Sequence, residues 1–170
     1  MKVTIISATD EGGAGRAGVN LYKGFLKIGI KADLVTIATL KKMRSGILTR
    51  LRRWWLVRKN INNNFTYVKD APRGYDYFTF ARTGYRGLQK LLPIKNADII
   101  NLHWISNFID YPTFFKHIRQ PVIWTLHDTS PFTGGCHYTF GCENFLNDCA
   151  DCMQLGDGAK DAAASRNFKL

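Results

Sequence analysis

The segment that most constrains the fold of this chain is residues 121–155, which open with a strand and continue with polar residues. After Pro121, the apolar and β-branched run that ends at Leu126 predicts a buried strand. His127 and Asp128 follow directly, at the carboxyl end of that strand, where open α/β sheets bind their ligands. We therefore predict an open α/β sheet with His127 and Asp128 among its site residues.

The rest of the chain alternates predicted strands with predicted helices. Strands are expected at residues 2–7, 33–38 and 96–103, the last ending in His103. Helices are expected at residues 19–28, 84–92 and 111–118, the first capped by Gly29 and the second stopping before Pro93. Shorter strands are expected at residues 65–68 and 77–80. Strand–helix–strand order predicts parallel crossovers. The fold class is therefore α/β and Rossmann-like over residues 1–155, a mainly parallel open sheet with helices on both faces and an irregular Cys-rich loop.

A glycine-rich stretch, residues 8–18, connects the first strand to the first helix. Glycines at such a turn let backbone N–H groups approach an anion, and the helix dipole favours negative charge there. The candidate substrate-binding residues are Gly12, Gly13, Gly15 and Arg16. The alternative is that these glycines only form a tight turn. A dinucleotide fingerprint would need an acidic partner, for which only Asp33 is available, at the start of a strand, so we expect no NAD.

The chain carries a net charge of +11, which favours an anionic partner. The most basic segment is residues 41–59, from Lys41 to Lys59, and its apolar residues fall on one helical face that includes Trp54 and Trp55. This pattern is typical of a helix on an anionic membrane surface, although the same face would also pack against the domain. RNA is a weaker alternative, because no nucleic-acid module accompanies the charge.

The compartment follows from what the sequence lacks. There is no signal-peptide pattern and no apolar run near the ~20 residues that span a bilayer. We expect a cytoplasmic protein, free or peripheral at the inner membrane face. The four cysteines, Cys136, Cys142, Cys149 and Cys152, then favour a structural zinc site, with disulfides and free thiols as alternatives and His137 as a substitute ligand. We expect no catalytic metal.

Three motifs in the second half of the chain resemble a branch of glycosyltransferase family 4, the retaining GT-B enzymes of bacterial capsule, exopolysaccharide and lipopolysaccharide synthesis. The motifs are Trp124-Thr125-Leu126-His127-Asp128, Pro131-Phe132-Thr133-Gly134-Gly135-Cys136-His137-Tyr138, and Cys149-Ala150-Asp151-Cys152 with Gln154-Leu155. The resemblance extends back to Met1. It implies the N-terminal, acceptor-side half of an enzyme that moves a sugar from a nucleotide diphosphate donor to a glycan or lipid-linked acceptor.

The resemblance also implies roles for individual residues. The glycine segment would face the donor phosphates, His103 would bind substrate, and His127 would contact the donor sugar or the acceptor hydroxyl while Asp128 orients it. The family's donor-binding second domain does not fit in 170 residues. Residues 156–170 are therefore expected to be a linker or the start of an interdomain segment, and the chain alone to be inactive. Two alternatives remain: a zinc-stabilised binding module without chemistry, and a membrane-associated adaptor.

Overall fold

The computed structural model describes residues 1–42, 78–82, 84–149 and 152–155. It divides into two compact units, and we call Met1–Gly46 with Gly84–His127 the sheet unit, and Ile47–Thr83 with Asp128–Leu170 the cysteine unit. The basic segment beyond Lys42, the strand predicted at residues 65–68 and the expected linker at 156–170 lie outside the described residues.

The sheet unit is built on a parallel sheet of four strands. The strands are β1 (Lys2–Ile6), β2 (Lys31–Val35), β3 (Ile99–Leu102) and β4 (Val122–Trp124). Their order across the sheet is β2-β1-β3-β4, and every neighbouring pair is parallel. The predicted α/β, Rossmann-like class is therefore confirmed.

Four α-helices are described, all in the sheet unit: α1 (Gly12–Lys27), α2 (Ile37–Lys42), α3 (Leu92–Lys95) and α4 (Tyr111–His117). Helix α1 packs on the face of β1 that carries Ile5, because a Cβ built on Gly18 would lie 3.6 Å from the Ile5 side chain. Thr4 points to the opposite face, where its Oγ1 donates to the carbonyl of Pro93 in α3 at 2.7 Å. Helices thus lie on both faces of the sheet. No described helix has the length and apolar character that a bilayer crossing needs.

The first helix begins earlier than predicted. It was expected over residues 19–28 and starts at Gly12, so the residues expected to form a glycine loop are its first turns. Gly29 was predicted correctly as the terminating residue, with φ of +78°. The N–H of Gly29 donates to Leu26 at 3.1 Å and that of Ile30 to Phe25 at 2.9 Å, which is the Schellman arrangement.

The second strand and the helix after it also differ from prediction. A strand was expected at residues 33–38, but β2 ends at Val35 and α2 begins at Ile37. Thr36 and Thr39 explain the change, since each hydroxyl accepts from the other's backbone N–H, at 3.1 and 2.7 Å. This reciprocal pair caps a new helix in the manner of a capping box.

A helix was predicted to stop before Pro93, but Pro93 instead lies in the first turn of a helix. A short 3₁₀ helix at Leu88–Lys90 precedes α3, and Pro93 lies in the first turn of α3. A proline fits there because the N–H it lacks would have no partner within the helix. The expected helix at residues 84–92 is therefore wrong.

Each unit has its own apolar core. In the sheet unit the fully buried side chains include Ile6, Ile100, Leu102, Phe108 and Phe114. In the cysteine unit the described core is smaller and consists of Phe78, Phe80, Cys136, Cys149 and Leu155. Phe78 pairs with Cys136 through one antiparallel bridge, where a strand had been expected at residues 77–80.

Candidate functional site

The carboxyl edge of the sheet carries a group of polar side chains on one face. The register places Ile5 opposite Asn101 and Asn101 opposite Ile123, and residues opposite each other share a face. The Asn101 side-chain amide donates to the Ile123 carbonyl and to Thr125 Oγ1, both at 3.2 Å. His103 follows Asn101 by two residues on the same face. We call the face of the sheet that carries Asn101 and His103 the polar face.

Two histidines predicted to lie at this edge are joined by a hydrogen bond. His103 Nδ1 and His127 Nε2 are 2.9 Å apart, and the two rings stack at 29° with centroids 5.1 Å apart. His103 is buried and His127 is exposed. Among the described residues nothing hydrogen-bonds to Nδ1 of His127. Nδ1 of His127 can therefore form a hydrogen bond with a ligand that approaches from solvent. The hydrogen bond with His103 at the other ring nitrogen fixes the orientation of the ring.

Burial makes His103 a neutral residue. Burial lowers the pKa of His103 below 6.5, and the charge of His127 lowers that pKa further. Near neutral pH one imidazole of the pair therefore donates and the other accepts. Helix α1 covers the His103 ring, and a Cβ at Gly18 would lie 3.5 Å from its Cγ. A Cβ at this position would make ordinary van der Waals contact with the ring, so the first helix lies directly against His103.

Among the described residues of the sheet unit, four buried side-chain atoms have no hydrogen-bond partner: Ser7 Oγ, Gln89 Oε1, Asn101 Oδ1 and His103 Nε2. Each such group costs about 1–3 kcal/mol unless something pairs with it. In folded proteins buried polar atoms are nearly always paired, and exceptions occur where function or ordered water requires them. Ser7, Asn101 and His103 lie near the ends of β1 and β3, at the same edge of the sheet as the histidine pair, whereas Gln89 lies in the 3₁₀ helix Leu88–Lys90.

The strand order indicates where on this edge a ligand would bind. From β1 the chain crosses through α1 to β2 on one side, and from β3 it crosses through α4 to β4 on the other. Ligands of such sheets occupy the crevice where the direction reverses, here between β1 and β3. The segments after these two strands are joined there by the Ala8 N–H, which donates to the Trp104 carbonyl at 2.7 Å. Ser7 and His103 lie next to that junction.

The amino end of α1 also lies after β1, and its glycines differ from one another. Gly12 and Gly13 are exposed and a Cβ on either would meet nothing within 4 Å, whereas a Cβ on Gly15 would lie 2.8 Å from the Thr9 carbonyl oxygen. Gly15 is therefore a packing residue. Glu11 makes no side-chain cap and the first turn holds no acid, so the helix dipole favours an anion here, against the charges of Asp10 and Glu11 that directly precede the helix. Arg16 is exposed.

The structure gives Asp128 partners in the cysteine unit. Its Oδ1 accepts from the Ser130 N–H at 2.9 Å and hydroxyl at 2.6 Å, and its Oδ2 lies 3.1 Å from His137 Nδ1. The other ring nitrogen of His137 lies 2.7 Å from Thr79 Oγ1. Burial lowers the pKa of His137, and Asp128 opposes that shift in part. Asp128, His137 and Thr79 thus form a buried polar chain within this unit.

All four cysteines line one small cavity in the cysteine unit. Its volume is about 20 Å³, and its other lining residues include Phe78, Gly134, Thr139, Phe145 and Met153. None of the cysteines is in a disulfide. The Gly134 N–H donates to the sulfur of Cys149 at 3.0 Å. Burial raises the pKa of Cys136 and of Cys149, and that of Cys152 to about 11. Within the described residues no three His, Cys, Asp or Glu side chains already stand in metal-binding positions.

Several of these residues were not predicted from the sequence. Asn101 could have been noticed, because it is a polar residue within the apolar strand Ile99–Leu102. Ser7 carried no signal beyond its place at a strand end. Thr79 and His137 could not be paired in advance, since 58 residues separate them.

Comparison with known proteins returned no relative. No family model, no curated protein and no solved structure matches the chain. A functional assignment therefore rests on the site geometry and on the motif resemblance alone.

Proposed function

We propose that this chain is the acceptor-side half of a retaining glycosyltransferase. The reaction transfers a sugar from a nucleotide diphosphate donor to a hydroxyl of a glycan or lipid-linked acceptor. The observation that carries the proposal is the hydrogen-bonded pair of His103 and His127, which lies at the carboxyl edge of the sheet that also holds the start of α1. The resemblance in residues 124–155 supports the same activity.

The start of α1 suits the charged part of the donor. Negative charge develops on the departing diphosphate, and backbone N–H groups at a helix amino end stabilise such charge without reorganising. Gly12 and Gly13 leave this end open, because neither carries a side chain and both are exposed. Arg16, one turn further along, adds an exposed positive charge. Gly15 contributes by letting the first turn pack tightly.

The histidine pair suits the sugar and the acceptor hydroxyl. The exposed ring of His127 offers Nδ1 to a hydroxyl, and His103 holds that ring in one orientation through the 2.9 Å bond. Holding a reacting hydroxyl in position lowers the entropic part of the barrier. A proton taken up by the pair can also leave through the exposed ring. His127 is therefore the proposed contact residue, and His103 the positioning residue.

Asp128 has a different role in this proposal from the one that the motif implied. Its carboxylate is engaged by Ser130 and His137, so it anchors the chain directly after His127 rather than bonding to a ligand.

A lipid-linked acceptor would bring the enzyme to the cytoplasmic face of the membrane, and residues 41–59 supply the charge for that contact.

The test is a transfer assay on the protein encoded by the full reading frame, together with the 170-residue chain. Each is incubated with a panel of UDP-, GDP- and dTDP-sugars and with a lipid-linked glycan extract, and products are followed by mass spectrometry. We expect transfer only by a protein that carries a second domain. His127→Ala should lower kcat/KM about 10²- to 10⁴-fold.

His117→Ala is the matched control, since His117 is exposed on α4 and bonds only to the backbone of its own helix. Its activity should equal that of wild type. Failure of the two-domain protein to use any donor, or full activity of His127→Ala, would overturn the proposal.

A further inference from the structure

We propose that Cys136, Cys142, Cys149 and Cys152 hold one structural zinc ion. The inference goes beyond sugar transfer and does not depend on it. Its basis is the cavity described above, which all four thiols line.

The size and lining of the cavity fit a single ion. Its volume of about 20 Å³ is close to what one water molecule needs, so it has room for one small ion. Four sulfur donors around one small space are the ligand set that zinc takes in structural sites. Cys136 and Cys149 are buried while Cys142 and Cys152 are partly exposed, which leaves a path for the ion to enter from solvent. Because the sulfurs do not yet stand in metal-binding positions, binding must draw them together.

A backbone group already supports one of the sulfurs. The Gly134 N–H donates to Cys149 Sγ at 3.0 Å. When zinc binds, each of the four thiols releases its proton to solvent and forms a sulfur–zinc bond, so the site gains a net charge of −2. A hydrogen bond to a charged sulfur is stronger than one to a neutral thiol. The contact with Gly134 is therefore the kind that outer-shell groups make to metal ligands.

The neighbouring histidine is not available as a ligand. Both ring nitrogens of His137 are engaged, one by Asp128 and the other by Thr79. The sequence alone had left His137 open as a substitute, and this geometry favours a site of four cysteines.

The described core of the cysteine unit is small, so a bound ion would contribute to the stability of this unit. Two of the five residues in its described core cluster are Cys136 and Cys149 themselves. A metal ion that crosslinks four side chains adds stability where, as in the described part of this unit, the apolar core is small. Zinc is the option that uses four reduced thiols around one cavity.

The experiment measures metal, thiols and stability on the purified 170-residue chain. Elemental analysis should find about one zinc ion per chain in wild type and none in Cys149→Ser. Thr139→Val is the matched control, because Thr139 lines the same cavity but cannot replace a thiolate. That variant should retain full zinc content.

Cys149→Ser could fail to fold, so wild type is also tested directly. Removing zinc with a chelator should lower Tm by about 10 °C or more, and adding zinc back should restore it. Replacement by Co²⁺ should give the sulfur-to-cobalt absorption of a tetrahedral thiolate site. The proposal is wrong if wild type contains no zinc and four thiols react under denaturing conditions, if the thiols are found as disulfides, or if iron is found instead.

Discussion

The two units of this chain are stabilised in different ways. The sheet unit has four paired strands and a core of large aliphatic and aromatic side chains that are fully buried. The described part of the cysteine unit has one antiparallel bridge and one 3₁₀ helix at Asn144–Leu146, and much of its order comes from side-chain hydrogen bonds. The chain from Asp128 to His137 to Thr79 is the main example.

This difference predicts different sensitivities in the two units. A core of packed apolar side chains loses stability when volume is removed. A network of buried polar groups loses stability when one member can no longer bond, because its partner is left desolvated. Substitutions that remove apolar volume should therefore cost most in the sheet unit, and substitutions that remove a hydrogen-bonding group should cost most in the cysteine unit.

The largest effect is expected from Ile100→Ala in the sheet unit. Ile100 lies on β3 with no exposed surface, and its removal leaves a cavity in the core, which should cost about 2–5 kcal/mol. Ile123→Ala is the matched control on the neighbouring strand, where the isoleucine is 57% exposed, and should cost less than about 1 kcal/mol. Urea denaturation followed by circular dichroism measures both values. Equal losses would contradict the core as described.

A smaller loss is expected from Asp128→Asn in the cysteine unit. The amide keeps the shape of the carboxylate but loses its charge and one acceptor oxygen, which weakens its interactions with Ser130 and His137 at a cost of about 1–3 kcal/mol. Asp98→Asn is the control, because that side chain is 63% exposed and contacts the amino terminus of the chain. It should cost less than about 1 kcal/mol.

Hydrogen exchange distinguishes the units in this experiment. Asp128→Asn should accelerate exchange of the Thr129 and Cys142 amides, which bond within the cysteine unit, more than exchange of the His103 amide in the sheet ladder. Uniform acceleration across both units would show that the polar chain supports the whole molecule rather than its own unit.

The same contrast explains what could be predicted from the sequence. Strands such as β1 and β3 were found because buried parallel strands are runs of apolar and β-branched residues. The parallel order of strands then brought His103 and His127 to one edge, where they are hydrogen-bonded. These predictions succeeded because they depend on local pattern and on a strong topological rule.

The rest depended on contacts between distant residues or on local choices that are nearly balanced. Helix α1 starts at Gly12 despite four glycines in its first seven residues. In this helix Gly15 lies so close to the Thr9 carbonyl oxygen that a side chain would not fit there. Residues 36–38 continued a strand pattern, but the reciprocal bonds of Thr36 and Thr39 favour a helix. Nothing in the local sequence predicts the pairing of Thr79 with His137.

The smallest effect is a pH dependence to which each unit contributes one buried histidine. Burial lowers the pKa of His103 in the sheet unit and of His137 in the cysteine unit, below the value of about 6.5 that the unfolded chain has. As pH falls below about 6.5, the unfolded state takes up protons before the folded state does, so the free energy of unfolding decreases. Above that pH the contribution is fully present.

The measurement is urea denaturation between about pH 7.5 and 5.5, where each histidine contributes at most about 1.4 kcal/mol per pH unit. His103→Gln should reduce the slope of stability against pH because the titrating group in the sheet unit is gone, whatever its effect on stability at pH 7.5. If the slope of stability against pH in His103→Gln is as steep as in wild type, the whole pH dependence lies outside the sheet unit, and a buried, neutral His103 is contradicted.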